Sequence, residues 1–201
     1  MPRVGILGGT FNPPHLGHLE LARRAASELA LARVHLVPAH TPSHKRAEPD
    51  PGPDRRVEMC RLLVEGEHEL SVCTAEVERG GTSYTIDTLR AAHAAHPDAE
   101  LMLITGADSA RTIPGWREPM ALFELADVAV AARAGTDRGD VSEALAPLLG
   151  GARLEFLHAP MLDISSSQAR SRAARGEPLE DLVGARVASY ISAHGLYRED
   201  A

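Results

Sequence analysis

Glycine, proline and histidine are concentrated in one short stretch near the N-terminus, GGTFNPPHLGH, which runs from Gly8 to His18. The stretch follows a short apolar run and leads into an amphipathic pattern, which predicts a turn between a strand and a helix. The free backbone N–H groups at such a turn, together with the helix dipole, bind phosphate groups. His15 and His18 are three positions apart, so they share one side of the first helical turn. A phosphate chain lying across the turn would contact both imidazoles.

Several other kinds of chemistry at this turn are disfavoured. The residues after Gly8-Gly9 do not continue as G-x-G-x-x-G, and the chain has no G-x-x-x-x-G-K-[ST] loop, so hydride transfer and P-loop chemistry lose support. A zinc site lacks a nearby third ligand, because Glu20 points elsewhere on the helix. The structural alternative is that His15 only caps the helix and His18 is a core residue.

A second candidate phosphate site is the segment DISSSQARSRAARG, residues 163–176. Ser165 and Gln168 have the spacing of a capping box, which predicts a helix that ends at the final glycine. Arg170 would then lie one turn inside the positive end of the helix dipole, beside the Ser166 hydroxyl. A cation there is unfavourable by up to about 1 kcal/mol unless an anion is bound. The alternative is that the serines only cap the helix and Arg170 lies on a solvated face.

Short apolar runs alternate with helical patterns through most of the chain. The predicted strands are Val4–Leu7, Val34–Val37, Leu70–Val77, Leu101–Thr105, Val128–Ala132 and Leu154–Leu157. Several are almost continuously apolar, as is typical of parallel strands that are buried on both faces. An apolar stripe predicts a first helix through Leu16, Leu19, Ala22, Ala26 and Leu29. Another predicts a last helix through Val183, Val187, Tyr190, Ile191 and His194, with Gly195 as its C-cap.

This order of elements predicts an α/β fold with a doubly wound, Rossmann-like parallel sheet. We expect one domain over residues 1–201, with a small C-terminal helical part at about residues 164–201. The hydrophobic share of 44% and the charged share of 24% are those of a globular protein. Cys60 and Cys73 have no CxxC partner and are interpreted as reduced core thiols.

Charge and hydropathy limit the partners. A net charge of −7 argues against nucleic acid as the main partner, because binding to its backbone depends on cationic surface. No apolar run approaches the roughly 20 residues that cross a bilayer. The N-terminal Met1-Pro2-Arg3 leads into VGILGG without a signal-peptide pattern. We therefore expect a cytoplasmic protein with no membrane partner.

The first turn resembles the [T/H]-x-G-H signature of the nucleotidyltransferase superfamily, and ISSSQAR, residues 164–170, resembles its second signature, I-S-S-[ST]-x-x-R. Other segments resemble the bacterial nicotinate-nucleotide adenylyltransferase family in particular: SYTIDTL, GADSARTIPGW, the lysine of PSHK and the C-terminal YISAHGLY. The resemblance runs from Val4 to Tyr197. It implies a nucleotidyltransferase-type fold and transfer of the adenylyl group from ATP to nicotinate mononucleotide. The products would be nicotinate adenine dinucleotide (deamido-NAD) and pyrophosphate, in NAD biosynthesis.

The resemblance also implies roles for individual residues. The expected catalytic residues are His18, His15, Lys45 and Arg170, with Mg²⁺ as a cofactor held mainly by the phosphates and not by the chain. The expected ATP-binding residues are Gly8, Gly9, Thr10, Phe11, His15, His18, Gly106, Asp108, Ile164, Ser165, Ser166 and Arg170. The expected nicotinate mononucleotide-binding residues are Asn12, Lys45, Thr85, Trp116 and Arg133.

Taken without the resemblance, several of these residues have plainer interpretations. Ser83 or Thr85 at a helix start could hold a carboxylate or act only as an N-cap. Trp116 follows a turn and could stack on a flat ring or pack in the core. Lys45 could be a solvated lysine, and Asp108 an ordinary helix cap.

This chain also departs from the family pattern. Asn12 stands where Asp is frequent, Ser43 and Ala134 replace prolines, and Arg117 stands where a second aromatic residue is common. The last change bears on how the pyridine ring is stacked.

Two rival functions remain at this stage. One is a related nucleotidyltransferase with another acceptor, such as phosphopantetheine or a cytidylyl-transfer substrate, although SYTIDTL and Trp116 argue against it. The other is a non-catalytic nucleotide sensor, for which a missing His or Arg in the phosphate site would be expected. The sequence leaves open whether the protein forms a homo-oligomer and how strictly it prefers nicotinate over nicotinamide.

Overall fold

The computed structural model describes residues 1–43, 49–131, 138–158 and 162–198. Within these residues the strands are β1 (Arg3–Gly9), β2 (Arg33–Pro38), β3 (Thr41–Pro42), β4 (Leu70–Val72), β5 (Thr82–Ser83), β6 (Glu100–Gly106), β7 (Ala126–Ala131) and β8 (Leu154–Phe156). The α-helices are α1 (Leu16–Glu28), α2 (Pro53–Leu63), α3 (Ala75–Arg79), α4 (Thr85–Ala95), α5 (Ala107–Ala110), α6 (Pro119–Leu125), α7 (Arg138–Leu145), α8 (Ser166–Ala174), α9 (Glu180–Val183) and α10 (Ala185–Ala193). A 3₁₀ turn, Ile113–Gly115, separates α5 from α6.

The main sheet has six strands in the order β4-β2-β1-β6-β7-β8, all paired in parallel. β3 and β5 form a separate two-stranded parallel pair. The chain first builds the sheet outward from β1 through β2 to β4, and then returns to the other side of β1 with β6. This order confirms the predicted doubly wound α/β fold. In such sheets ligands bind beyond the carboxyl ends of the strands where the order reverses, which here is between β1 and β6.

The sheet is buried on both faces because apolar side chains alternate along its central strands. On β6, Met102 and Ile104 join the core beneath α1, α2, α8 and α10. Leu101 and Leu103 of the same strand join the opposite core beneath α4, α5, α6 and α7. The near-continuous apolar runs of the sequence therefore reflect two cores on one sheet. Gly5 of β1 is required by this packing, since a Cβ there would lie 2.7 Å from Ile104 Cδ1.

Two predicted elements differ from the structure. The strand predicted at Leu70–Val77 ends at Val72, and residues 75–79 form α3. A short apolar run does not distinguish a strand from a buried helical segment, and AEVER is composed mainly of residues that favour helix. The predicted last helix is interrupted at Gly184, whose φ of +80° ends α9 before α10 begins. Gly195, with a φ of +59°, follows the C-cap residue of α10.

Both cysteines are free thiols, as predicted. Cys60 is buried in the core beneath α2, and this burial raises the pKa of its thiol. Within the described ranges, no helix is long and apolar enough to cross a membrane.

Candidate active site

The turn between β1 and α1 brings its two histidines together. His15 is the N-cap residue of α1, and its ring centroid lies 3.7 Å from that of His18. The edge of the buried Phe11 ring contacts His18 from another side, at a centroid distance of 4.8 Å. The His15 backbone N–H donates to His18 Nδ1 at 3.2 Å. Because Nδ1 accepts this hydrogen bond, the neutral His18 ring carries its hydrogen on Nε2, where it is a donor suited to a phosphate oxygen.

Gly17, between the two histidines, makes room for this arrangement. A Cβ at this position would lie 3.0 Å from His15 Nδ1 and 3.1 Å from His15 Cε1. These distances are tighter than ordinary van der Waals contacts, so a larger residue would require the His15 ring to shift by a few tenths of an ångström. The glycine therefore allows the imidazole pair to form.

The second predicted phosphate segment contacts this turn directly. The Ser166 hydroxyl donates to the Pro13 carbonyl oxygen at 2.8 Å, and Arg170 Nη1 donates to the Asn12 carbonyl oxygen at 2.6 Å. Ser165 caps α8 by accepting from the Gln168 N–H at 3.2 Å, which confirms the predicted cap. The N-terminus of α8 thus lies against the β1–α1 turn, and a shared phosphate site there stays a prediction.

Asn12 has a different environment from the one expected of a substrate ligand. Its side chain is 2% exposed and lines neither of the two cavities described below. Its Oδ1 accepts from the Tyr197 hydroxyl at 2.8 Å, and its Nδ2 donates to the Pro49 carbonyl oxygen at 3.0 Å. The amide holds the turn from inside the protein, and the binding of nicotinate mononucleotide by Asn12 stays a prediction.

Two cavities open at the carboxyl ends of β1 and β6. The first has a volume of about 320 Å³ and is bordered by the α1 and α5 N-termini and by residues before α8: Leu7, Gly8, Gly9, His15, Gly17, His18, Leu21, Thr105, Gly106, Ala107, Asp108, Ser109, Ala131, Leu162 and Ile164. It contains both histidines and the predicted ATP-binding residues Gly106 and Asp108. Asp108 is not the N-cap of α5, since Gly106 has that position, and its carboxylate pairs with Arg111 at 2.6 Å.

The second cavity, also of about 320 Å³, lies on the other side of the same glycine turn. Its lining residues are Ile6, Gly8, Gly9, Thr10, Ala39, Pro42, Ser43, Glu76, Ser83, Thr85, Thr88, Leu103, Ile104, Thr105, Ser109 and Trp116. Gly8, Gly9, Thr105 and Ser109 border both cavities. Because two of these four residues have no side chain beyond Cα, molecules in the two cavities would meet over a largely bare backbone.

The predicted acceptor residues Thr85 and Trp116 both line the second cavity. The helix start differs in detail from the prediction, because Tyr84 is the N-cap of α4 and no side chain caps it. The Ser83 hydroxyl instead accepts from the His40 N–H at 3.0 Å, which ties the helix start to the residues after β2. Trp116 follows the 3₁₀ turn, and its indole Nε1 donates to the Thr112 hydroxyl at 3.0 Å.

Charged groups around the second cavity are arranged asymmetrically. The Arg117 guanidinium lies 4.8 Å from the centre of the Tyr84 ring and borders a separate cavity, which shares Ser43, Thr85 and Trp116 with the second one. Glu76 is buried inside the cavity wall, where its carboxyl group accepts from the Thr88 hydroxyl. Burial raises the pKa of the Glu76 carboxyl, which favours its neutral form.

Three residues of the sequence analysis have no described position, and the metal prediction concerns the phosphates of a substrate. Lys45 and Arg133, as well as Ala134, lie outside the described residues. In the part of the chain that is described, no group of three or more His, Cys, Asp or Glu side chains could hold a metal ion.

The sequence analysis missed several residues of this region. Thr105 and Ser109 border both cavities, and Glu76 was hidden inside a predicted strand. Arg56 was overlooked although it precedes Met59, Cys60 and Leu63 with the spacing of one buried helix face. A charged residue on an apolar helix face is a signal that can be found in a sequence.

Comparison with known proteins agrees with this geometry. The family model described as cytidylyltransferase-like matches residues 6–172. Together with the doubly wound sheet and the glycine turn at its switch point, this match defines the class of the protein as a cytidylyltransferase-like nucleotidyltransferase.

Relatives narrow the class to one family. The chain is 43% identical over 200 residues to a Bordetella petrii protein described as "Probable nicotinate-nucleotide adenylyltransferase", covering 98% of this chain and all of that one. It is 39% identical over 196 residues to a Clavibacter michiganensis protein with the same description, covering 98% and 94% of the two chains. The chain belongs to the nicotinate-nucleotide adenylyltransferase family.

A solved structure has the same fold. The Plasmodium falciparum nicotinic acid mononucleotide adenylyltransferase complexed with NaAD superimposes with a TM-score of 0.79 at 17% identity, covering 98% of each chain. At this identity the likeness concerns the fold alone.

Proposed function

We propose that this protein transfers the adenylyl group of ATP to nicotinate mononucleotide, forming nicotinate adenine dinucleotide and pyrophosphate in NAD biosynthesis. The observation that carries the proposal is the pair of cavities that share the Gly8–Gly9 backbone at the switch point of the sheet. A reaction that joins two phosphate-bearing substrates needs two such compartments in contact. Membership of the family supports the same activity.

ATP is assigned to the first cavity. Its ribose would lie beside Gly106 and Asp108, and its phosphates would cross the β1–α1 turn toward the N-terminus of α8. The contact of Arg170 and Ser166 with the turn supports this path, because the guanidinium and the His18 ring border the same few residues. Anions are stabilised at both helix N-termini by the dipole and by the leading N–H groups.

Nicotinate mononucleotide is assigned to the second cavity, with its pyridine ring against Trp116 and Thr85. The first N–H groups of α4 have no partner within the helix, and they begin at Thr85 on the cavity wall. These groups favour an acceptor that carries a carboxylate over one that carries a neutral amide.

The reaction needs positioning and charge neutralisation more than proton transfer. A phosphate oxygen of the acceptor attacks the α-phosphorus of ATP in line, the bond from that phosphorus to the α,β-bridging oxygen breaks, and pyrophosphate leaves with the electron pair. His18 Nε2–H and the Arg170 guanidinium neutralise charge on the transferring and leaving oxygens. Mg²⁺ would be held mainly by the phosphates and would supply further charge neutralisation. Lys45 and Arg133 stay predicted phosphate ligands, and the cytoplasm stays the predicted location.

The test is a pyrophosphate-release assay with ATP and Mg²⁺ and one of three acceptors: nicotinate mononucleotide, nicotinamide mononucleotide or phosphopantetheine. We expect release with nicotinate mononucleotide and a dinucleotide product identified by mass. The kcat/KM should be lower for the nicotinamide form. Faster release with phosphopantetheine would overturn the acceptor assignment, and no release with any acceptor would favour a nucleotide sensor. Reactions without acceptor control for ATP hydrolysis.

A further inference from the structure

Arg56 is a fully buried charged residue in the first turns of α2, with 0% of its surface exposed. Burying a guanidinium is unfavourable unless hydrogen bonds and an opposite charge replace its hydration. Arg56 nevertheless lines neither cavity, so it is not placed to contact a substrate. The role of a charge at this position must therefore lie in the groups that accept hydrogen bonds from the guanidinium.

The guanidinium joins three backbone carbonyl groups and one carboxylate. Nη1 donates to the carbonyl oxygens of Thr10 and Ala39, each at 2.7 Å, and Nη2 donates to the carbonyl oxygen of His40 at 2.9 Å. Nε donates to Asp50 Oδ1 at 3.0 Å. Charge-assisted bonds from a rigid planar fork are short and directional, so they fix the acceptors relative to one another.

These acceptors belong to two different walls of the site. Thr10 follows β1 and continues the Gly8–Gly9 strip that separates the two cavities. Ala39 and His40 follow β2, and Ala39 lines the second cavity. The Ala39 N–H also donates to the Gly9 carbonyl oxygen at 2.9 Å, which adds a second link between the walls. Arg56 thus sets how far the glycine turn stands from the acceptor wall.

We propose that Arg56 is a positioning residue for adenylyl transfer, which fixes the glycine turn against the residues after β2 so that the two bound phosphates meet in line. The inference rests on the proposed function. Reacting atoms need a separation of about 3 to 3.5 Å, and a misplacement of about 1 Å costs about 100-fold in rate. Each substrate binds mainly within its own cavity, so a change in the separation of the walls affects turnover more than binding.

The decisive variant is Arg56→Lys, which keeps the charge. A single ammonium group cannot donate to three carbonyl groups and a carboxylate in the planar arrangement of a guanidinium. We expect kcat, per folded protein, to fall about 10- to 100-fold, while the KM values for ATP and for nicotinate mononucleotide each change by less than about threefold. Calorimetric titration with ATP should still give one site per chain.

The matched control is Arg61→Lys on the same helix, where the arginine is exposed and pairs only loosely with Glu58 at 3.4 Å. This variant should have the kcat of the wild type. A second variant, Asp50→Asn, leaves the three carbonyl bonds of Arg56 intact and should lose stability while keeping kcat within about threefold of the wild type.

The possible outcomes separate the hypotheses. If wild type and Arg61→Lys form no dinucleotide, the proposed function has failed. If they are active and Arg56→Lys is equally active, only this inference is overturned. A rise in KM without a fall in kcat, or a kcat loss in Asp50→Asn as large as in Arg56→Lys, would also overturn it. If Arg56→Lys and Arg56→Gln both fail to fold at the assay temperature, the residue serves folding alone and the positioning role is rejected.

Discussion

The hydrogen-bonding role of His18 can be separated from its structural role by two substitutions. In the structure, Nδ1 accepts from the His15 N–H at 3.2 Å, so Nε2 is left as the donor to phosphate. The oxygen of an asparagine at this position occupies roughly the place of Nδ1, whereas the terminal amide of a glutamine reaches roughly the place of Nε2. His18→Asn should therefore keep the N-terminal cap of α1 and lose the catalytic donor. His18→Gln should do the reverse.

The magnitudes follow from the bonds that each variant loses. Removing one preorganised donor costs about 100- to 1,000-fold in kcat, which is about 2.7 to 4 kcal/mol of barrier. Losing the bond to His15 costs about 0.5 to 1.5 kcal/mol of folding free energy. For a chain of this size that corresponds to a fall in Tm of about 1 to 6 °C, since each kcal/mol shifts Tm by about 2 to 4 °C. We expect His18→Asn to be stable and nearly inactive, and His18→Gln to be less stable and more active.

The assay is pyrophosphate release at saturating ATP, Mg²⁺ and nicotinate mononucleotide, with Tm measured by circular dichroism on the same samples. His18→Ala, which removes both functions, is the reference for complete loss. Near-normal turnover by His18→Asn would refute the donor role. If kcat instead follows Tm, so that His18→Asn is at least as active as the less stable His18→Gln, the ring matters only for the fold.

Three further predictions concern other parts of the site. Tyr197→Phe removes the hydroxyl that now lies 2.8 Å from the buried Asn12 oxygen, at a cost of about 1 to 3 kcal/mol, so thermal melting should show a Tm lower by about 2 to 12 °C. An unchanged Tm would contradict this. The raised pKa of Glu76 means that the folded protein holds this proton more tightly than the unfolded chain, so stability falls as pH rises from its ordinary value of 4.5 through the folded value. The Glu76→Gln side chain cannot lose a proton. The free energy of unfolding measured by urea denaturation should therefore fall less with rising pH in this variant than in the wild type. The same pH dependence in both proteins would argue against this. Trp116→Ala should raise the KM for nicotinate mononucleotide by up to about tenfold through loss of stacking, with little change for ATP, in initial-rate kinetics. An equal rise in the KM values for both substrates would show that the indole does not stack on the pyridine ring.

The parts of the fold that depend on local pattern could be predicted from the sequence. The central strands are apolar on both faces, so their positions and their parallel pairing follow from periodicity. The short edge strand β4 was extended too far, because the helical residues of α3 continue its apolar character. The break at Gly184 was missed because the stripe of apolar residues continues across it.

The candidate site was predictable where its chemistry is local, as in the histidine pair and the α8 N-terminus. It was not predictable where a side chain forms a hydrogen bond with a residue that is distant in sequence. Asn12 looked like a ligand in its own turn, but Tyr197, 185 positions away, accounts for its side-chain oxygen. Arg56 reaches Thr10 across 46 positions, and nothing in either local sequence indicates that contact. Long-range hydrogen bonds of this kind are specified by the completed fold.

The β1–α1 turn receives its support from residues that are far from it in sequence. Ser166, Arg170 and Tyr197 contact it across 153, 158 and 185 positions. A chain shortened before Ser166 would keep the residues of the early strands, but it would lack the braces of this turn. The shape of the phosphate-binding turn therefore depends on segments that are translated well after it.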